Sequence, residues 1–167
     1  MLFRSTAGLH FTPKLLAELT HRGIQQERVT LHVGVGTFRP ISAERLDEHA
    51  IHSEWCSLSP EVTERLRDCR RAGRRIIAVG TTVARTLETA AASGEIQPFT
   101  GQTNLFIRPP FKFHACGALL TNFHLPRSTL LILVRTFGGD ALVRQAYAKA
   151  IEERYRFFSY GDAMLIQ

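Results

Sequence analysis

The 167-residue sequence has few cysteines, few lysines and no long hydrophobic run. Its three cysteines, Cys56, Cys69 and Cys116, form no CxxC pair. This argues against a disulfide framework and predicts reduced thiols in a cytoplasmic protein. The longest purely apolar run covers residues 130–134, far short of the about 20 residues that a membrane-spanning helix needs. The sequence therefore predicts neither a disulfide-stapled secreted domain nor a membrane span.

The composition is that of a folded domain with an excess of positive charge. Hydrophobic residues make up 44% and charged residues 22%, values that exclude disorder as the main state. The net charge is +6, and all but three of the cations are arginine. Because the guanidinium group suits phosphates, this excess is compatible with a polyanionic partner. A codon bias toward arginine explains it equally well.

Helix and strand signals alternate along the chain. Thr12-Pro13, Ser59-Pro60 and Ser128 each predict a helix start, since a hydroxyl side chain caps a helix and proline suits its first turn. Helices are predicted from residues 13, 42, 60, 81, 128 and 140, and strands over 29–35, 51–58, 75–79, 104–107 and 117–121. The strand at 75–79 is apolar throughout and is expected to be buried on both faces. The alternation predicts an α/β fold with a largely parallel sheet and flanking helices.

The segment VGTTVART places glycine and two hydroxyls between a strand and a helix. Ligands of open α/β sheets bind at the carboxyl ends of strands, where a helix N-terminus attracts anions. Gly80, Thr81 and Thr82 are therefore candidate ligand contacts, and Arg85 is a candidate anion contact. The alternatives are a plain capped junction and a solvated helix arginine.

The segment LHVGVGTFRP superficially resembles a dinucleotide-binding fingerprint. The spacing fails because Arg39 occupies the position of the third glycine. We expect instead a strand end at Gly36 and Thr37 that borders a substrate. His32 is either exposed there or a hydrogen-bonded core histidine.

Two further segments carry groups able to transfer protons or hold a base. His52 and Glu54 share one face of the predicted strand and suit acid–base work; the alternative is a surface pair, and a metal site is disfavoured. Asn122, His124 and Ser128 follow another strand. An amide reads a base edge and an imidazole moves a proton, whereas the alternative is a rigid loop with a serine N-cap.

The tail RYRFFSYGDAM interleaves arginine with aromatic residues. This pattern suits stacking on bases combined with contacts to phosphates. The alternative is that Phe157 and Phe158 belong to the core and that Asp162 is a turn residue.

Taken together, the strings TAGLHFT, TLHVGVGTF, HSE, AVGTT, TNFHLPRSTL and RFFSYGDAM resemble the C-terminal part of the S-adenosylmethionine:tRNA ribosyltransferase-isomerase family of queuosine biosynthesis. The resemblance runs from Thr6 to the end of the chain. It implies transfer and isomerisation of the ribosyl part of S-adenosylmethionine onto 7-aminomethyl-7-deazaguanine at the tRNA wobble position. Epoxyqueuosine forms, and adenine and methionine leave. S-adenosylmethionine is a consumed substrate, and no metal or other cofactor is implied.

The resemblance also groups the candidate residues into three roles. For proton transfer we expect His52, Glu54 and His124. For substrate binding we expect His10, Thr12, His32, Gly36, Thr37, Gly80, Thr81, Thr82, Asn122, Ser128, Tyr160 and Asp162. For contacts to tRNA we expect Arg39, Arg85, Arg154 and Arg156.

Members of this family are longer and carry a β-barrel domain that is missing here. We therefore expect residues 1–5 to be a non-native leader and residues 6–167 to form the C-terminal α/β portion of a two-domain enzyme. An isolated fragment of this kind is expected to be inactive. The alternative is a basic α/β module that binds RNA or a nucleoside without turnover.

Overall fold

The computed structural model describes residues 6–34, 41, 45–46, 49, 51–159 and 161–167. A 3₁₀ helix, Thr6–His10, comes first. The α-helices are α1 (Pro13–His21), α2 (Pro60–Arg71), α3 (Thr81–Ala90), α4 (Thr129–Gly138) and α5 (Asp140–Glu152). The strands are β1 (Thr30–Leu31), β2 (Glu54–Leu58), β3 (Ile77–Val79), β4 (Phe99–Thr103), β5 (Ala118–Asn122) and β6 (Ala163–Ile166). None of the described helices is both long and apolar enough to cross a membrane.

The three predicted helix caps are confirmed. The hydroxyl oxygens of Thr12, Ser59 and Ser128 accept hydrogen bonds from the backbone N–H three residues later, at 3.2, 3.3 and 3.1 Å. Gly23 and Gly73, just after α1 and α2, have φ of +76° and +68°, a conformation that glycine adopts without steric cost. The helix predicted from residue 42 lies mostly outside the described residues.

The predicted largely parallel sheet is wrong. The strands form two three-stranded sheets, in the orders β1-β2-β4 and β3-β5-β6. The first is antiparallel throughout, and in the second only β3 and β5 run parallel. The alternation of strands and helices agrees with the parallel pair β3 and β5, whose connection contains α3, but it also predicted a strand at 104–107 between them. It gave no information on which other strands pair.

Two strand predictions fail in detail. Residues 104–107 form no strand. The strand in this region is β4, which ends at Thr103 and pairs with β2 along its whole length, Phe99–Thr103. The predicted burial of residues 75–79 on both faces is also wrong, because Ile77 is 46% exposed while Ala78 is fully buried. Leu165 of β6, on the same side of the sheet as Val79 and Leu120, is 53% exposed. This face of the sheet is therefore open around Ile77 and Leu165, whereas Ala118 and Asn122 on the same face are buried.

Helix α3 lies at the centre of the core and carries two buried charged residues. Ala84, Leu87 and Ala90 pack in the main hydrophobic cluster. Glu88, only 2% exposed, accepts hydrogen bonds from the backbone N–H groups of His114, Ala115 and Cys116 at 2.8, 3.0 and 2.9 Å. A carboxylate with three donors compensates for the loss of its hydration. Glu88 thus holds the loop that leads into β5 against α3.

We expect Glu88→Gln to lower the free energy of unfolding by about 2–4 kcal/mol. In the wild type the buried carboxylate accepts hydrogen bonds from three backbone N–H groups. In the variant the NH₂ of glutamine, itself a donor, would face some of these donors. Urea unfolding measures the change. Glu95→Gln is the matched control, because Glu95 is exposed and its substitution is expected to change the free energy by less than about 0.5 kcal/mol. Equal unfolding midpoints for the two variants would contradict the assignment.

Candidate functional site

The carboxyl ends of the parallel strands β3 and β5 meet at the start of α3. Gly80 follows β3 with φ of +99° and donates its N–H to the Leu120 carbonyl at 2.8 Å. Gly80 is the residue before α3 and has no side chain to cap the helix. The N–H groups in the first turn of α3, at Thr81 and Thr82, therefore receive no capping hydrogen bond from a Gly80 side chain. N–H groups in this position bind a hydrogen-bond acceptor or an anion.

The Asn122 side chain joins three segments at this edge of the sheet. It lies at the end of β5 and is 3% exposed. Its Nδ2 donates to the carbonyls of Gly161 and Asp162, at 2.9 and 3.2 Å, and lies 3.1 Å from Nε2 of His10. Its Oδ1 is buried and has no hydrogen-bond partner among the described residues. The amide therefore connects β5 to the 3₁₀ helix and to the segment before β6.

The turn that precedes β6 is closed by one ion pair. Asp162 accepts a hydrogen bond from the backbone N–H of Arg156 at 2.7 Å, and its Oδ1 lies 3.0 Å from Nη2 of the same arginine. These contacts hold the pKa of Asp162 below its usual value. A Cβ on Gly161 would lie 2.5 Å from the Arg156 carbonyl oxygen, so only glycine fits there. The turn presents the two carbonyls that Asn122 binds.

His124 is held as a neutral imidazole beside the same strand end. Its Nε2 lies 2.9 Å from the Thr121 hydroxyl, and its backbone N–H donates to the Tyr147 hydroxyl at 2.9 Å. Burial lowers the pKa of His124 from its usual 6.5 to about 4. The Tyr147 ring in turn packs on Phe123 and Phe157. At neutral pH the His124 imidazole is therefore uncharged, with one nitrogen that donates a hydrogen bond and one that accepts.

A buried ion pair lies farther along α3. Arg85 and Glu54 are 5% and 2% exposed, and Nη1 of Arg85 contacts Oε2 of Glu54. Glu54 Oε1 also accepts from the backbone N–H of Gly34 at 2.7 Å, and Arg85 Nε donates to the Leu105 carbonyl at 3.2 Å. Nη2 of Arg85 is buried and has no hydrogen-bond partner in the part of the chain that the structure describes. The pair ties the segment after β1 to α3.

Comparison with known proteins identifies the family. A family model described as "Queuosine biosynthesis protein" matches residues 3–166. The chain belongs to this family of queuosine biosynthesis proteins. A relative from Thermotoga petrophila, named S-adenosylmethionine:tRNA ribosyltransferase-isomerase, is 54% identical over 161 residues. A relative of the same name from Coxiella burnetii is 56% identical over 161 residues.

Both relatives are matched over 96% of this chain, but this chain covers only 48% and 47% of their lengths. A crystal structure of S-adenosylmethionine tRNA ribosyltransferase from Thermotoga maritima superposes with a TM-score of 0.81 at 48% identity. That comparison covers 98% of this chain and 52% of the other. The chain thus spans about half the length of the family members that it matches.

The structure brings several predicted substrate-binding residues together and leaves others apart. Asn122 contacts His10 and the Asp162 carbonyl at the carboxyl end of β5, and the Gly80–Thr82 junction begins at the same end of the neighbouring β3. The hydroxyls of Thr12 and Ser128 are occupied by their capping bonds. The predicted residues Gly36, Thr37, Arg39 and Tyr160 lie outside the described residues.

The remaining candidates differ in accessibility. The His32 ring is exposed and lies on Trp55, with 4.7 Å between ring centroids. His52 is exposed and makes no hydrogen bond, ion pair or ring contact with the described residues. Arg154 and Arg156 are exposed, whereas the buried Arg85 is out of reach of a phosphate at the surface.

Sequence reasoning missed the residues that support the site. Thr121 and Tyr147 fix His124, and Glu88 holds the loop before β5. Thr121 lies inside the TNFHLP string, so the string carried a signal for it. No sequence motif marks Tyr147, because its contact with His124 depends on how α5 packs. The described residues contain no cluster of three metal-ligating side chains, and the prediction of no metal remains a prediction.

The pKa of His124 predicts a stability that depends on pH. Because the folded protein binds this proton only near pH 4 and the unfolded chain binds it near 6.5, stability is lost as the pH falls through this window. The loss is at most about 3 kcal/mol. Glutamine in His124→Gln keeps a polar group near Thr121 but does not titrate. The free energy of unfolding of this variant should therefore fall less than that of the wild type as the pH is lowered.

Urea unfolding at a series of pH values between 7 and 4 measures this difference. The control is His21→Gln, at an exposed position in the last turn of α1, which should keep the wild-type pH profile. A pH profile of His124→Gln that coincides with that of the wild type would contradict the assignment.

Proposed function

We propose that this chain carries part of the active site of an S-adenosylmethionine:tRNA ribosyltransferase-isomerase. The reaction transfers the ribosyl part of S-adenosylmethionine to 7-aminomethyl-7-deazaguanine in tRNA, isomerises it to epoxyqueuosine and releases adenine and methionine. The observation that carries this proposal is the 54–56% identity, over 96% of the chain, to relatives with that name. S-adenosylmethionine is then a consumed substrate, and no further cofactor is needed.

The nucleoside of S-adenosylmethionine binds, in this proposal, where β3 and β5 end. The first turn of α3 offers N–H donors and the hydroxyls of Thr81 and Thr82 to ribose oxygens. The buried amide of Asn122 supports this site from inside the protein, because its Nδ2 holds the Gly161 and Asp162 carbonyls at the end of β5. The position agrees with the general rule that α/β sheets bind ligands at the carboxyl ends of their strands.

Proton transfer remains assigned to His52, Glu54 and His124, with different support for each. The neutral imidazole of His124 suits proton transfer or hydrogen bonding close to the strand end. Glu54 is bound by Arg85 and by the Gly34 N–H, a geometry that suits holding the segment after β1 in place. His52 is exposed next to β2 and free to reach a substrate.

The polyanionic partner in this proposal is tRNA carrying 7-aminomethyl-7-deazaguanine. The net charge of +6 favours it. Arg154 and Arg156 are exposed at the start of the aromatic segment that precedes β6. This segment leads to the Gly161 and Asp162 carbonyls beside the proposed nucleoside site. Arg85 acts inside the protein through Glu54 instead. Because tRNA is modified in the cytoplasm, we place the protein there.

Adenine release tests the proposed function. The chain is expected to release little adenine by itself, because it spans about half the length of its relatives. Joined to the part of the Thermotoga relative that lies outside the matched region, it should release adenine from S-adenosylmethionine in the presence of precursor tRNA. Chromatography of the released base gives the rate.

A substitution in the joined protein tests the site. Thr82→Val removes one hydroxyl from the start of α3 and keeps the side-chain shape, so adenine release should fall about tenfold. Thr100→Val, an exposed position in the other sheet, should retain the full rate. If the joined protein binds precursor tRNA but releases no adenine, the chain is a binding module and the proposed turnover is wrong.

A further inference from the structure

The side-chain amide of Asn122 can adopt only one orientation. The carbonyl oxygens of Gly161 and Asp162 both lie within hydrogen-bond distance of the same side-chain atom. Carbonyl oxygens only accept hydrogen bonds, so that atom is the NH₂ nitrogen. Rotating the amide by 180° would bring an oxygen against two oxygens. The orientation therefore follows from the backbone and not from a choice between equivalent fits.

This orientation determines where His10 carries its proton. Nδ2 of Asn122 lies within hydrogen-bond distance of the two carbonyls and, at 3.1 Å, of Nε2 of His10. An amide nitrogen donates hydrogen bonds and does not accept them. Nε2 must then be the acceptor. A neutral imidazole that accepts at Nε2 carries its hydrogen on Nδ1. Asn122 thus selects the Nδ1–H tautomer.

The remaining polar atom of His10 is available to a ligand. His10 is exposed, and its Nδ1 makes no hydrogen bond within the part of the chain that the structure describes. The 3₁₀ helix that carries it is anchored by Ala7, which is 3% exposed, and packs on β5. An imidazole with one nitrogen held by a buried amide and the other open is a donor of defined position.

We propose that His10 donates a hydrogen bond through Nδ1–H to an uncharged acceptor atom of the bound nucleoside, a ribose oxygen or a purine ring nitrogen, and that Asn122 sets the tautomer required for this. The inference rests on the proposed function, because it concerns the same nucleoside site. It makes His10 a hydrogen-bond donor and not a base: Nε2, the nitrogen with the free electron pair, is occupied by Asn122.

Nitrogen-15 NMR of the labelled full chain tests the tautomer without any ligand. Long-range proton–nitrogen correlations of the imidazole rings at neutral pH distinguish the two tautomers, and His10→Gln identifies the His10 signals by their loss. We expect Nδ1 to carry the hydrogen and Nε2 to show the shift of an unprotonated nitrogen. An Nε2–H tautomer, or a signal averaged over both, would overturn the proposal.

Two substitutions separate the two nitrogens of His10. An asparagine amide reaches about as far as Nδ1, and a glutamine amide reaches about as far as Nε2. His10→Asn therefore keeps a donor for the ligand but loses the contact with Asn122. His10→Gln keeps an acceptor for Asn122 but loses the donor. The two variants are matched controls for each other.

Calorimetric titration with S-adenosylmethionine as the probe measures the effect of each substitution on ligand affinity. Thermal unfolding measures its effect on the stability of the protein. His10→Gln should weaken binding about tenfold, the value of one hydrogen bond, whereas His10→Asn should weaken it about twofold or less. The melting temperature should fall more for His10→Asn than for His10→Gln. The two readouts thus rank the variants in opposite orders.

The outcomes separate this inference from the proposed function. If the wild-type chain binds S-adenosylmethionine and His10→Asn is weakened as much as His10→Gln or more, His10 only anchors the 3₁₀ helix and the inference is wrong. If the wild-type chain binds no S-adenosylmethionine, the proposed nucleoside site is contradicted and donation by His10 to a nucleoside with it, whereas the tautomer that Asn122 selects is decided by the NMR result alone.

Discussion

The buried amide of Asn122 is the contact on which the candidate site depends. One nitrogen atom binds two carbonyls before β6 and faces His10 on the 3₁₀ helix, more than one hundred residues away in the sequence. Because the amide is buried, each lost partner would leave an unsatisfied polar group at a cost of about 1–3 kcal/mol. The strand end, the turn and the helix are therefore held in place together.

Helix α3 extends this arrangement to the rest of the domain. Its first turn lies at the candidate nucleoside site, and its buried charged residues, Arg85 and Glu88, bind backbone groups at the two ends of the connection between β4 and β5. Arg85 also binds Glu54, which holds the Gly34 N–H. Burying charges in this way is costly unless each is fully paired. The result is that segments from both sheets are positioned relative to a single helix.

Membership in the queuosine biosynthesis family and the site geometry support each other. The family match reaches across almost the whole chain, and the residues at the ends of β3 and β5 suit a nucleoside: hydroxyls and N–H groups at the start of α3, and the imidazoles of His10 and His124. The chain accounts for about half of its relatives' length. The open face of the second sheet, with Ile77 and Leu165 exposed, shows that this domain leaves apolar surface uncovered.

The sequence by itself determined the helix starts and the family. These depend on local chemistry: a capping hydroxyl such as Ser59, a glycine at a required φ such as Gly23, and residue strings of high specificity. Only the tertiary structure decided which strands pair, that Arg85 is buried against Glu54, and which atoms of Asn122 and His10 face each other. Those features depend on contacts between segments distant in sequence, and local residue patterns carry no information about which distant groups will meet.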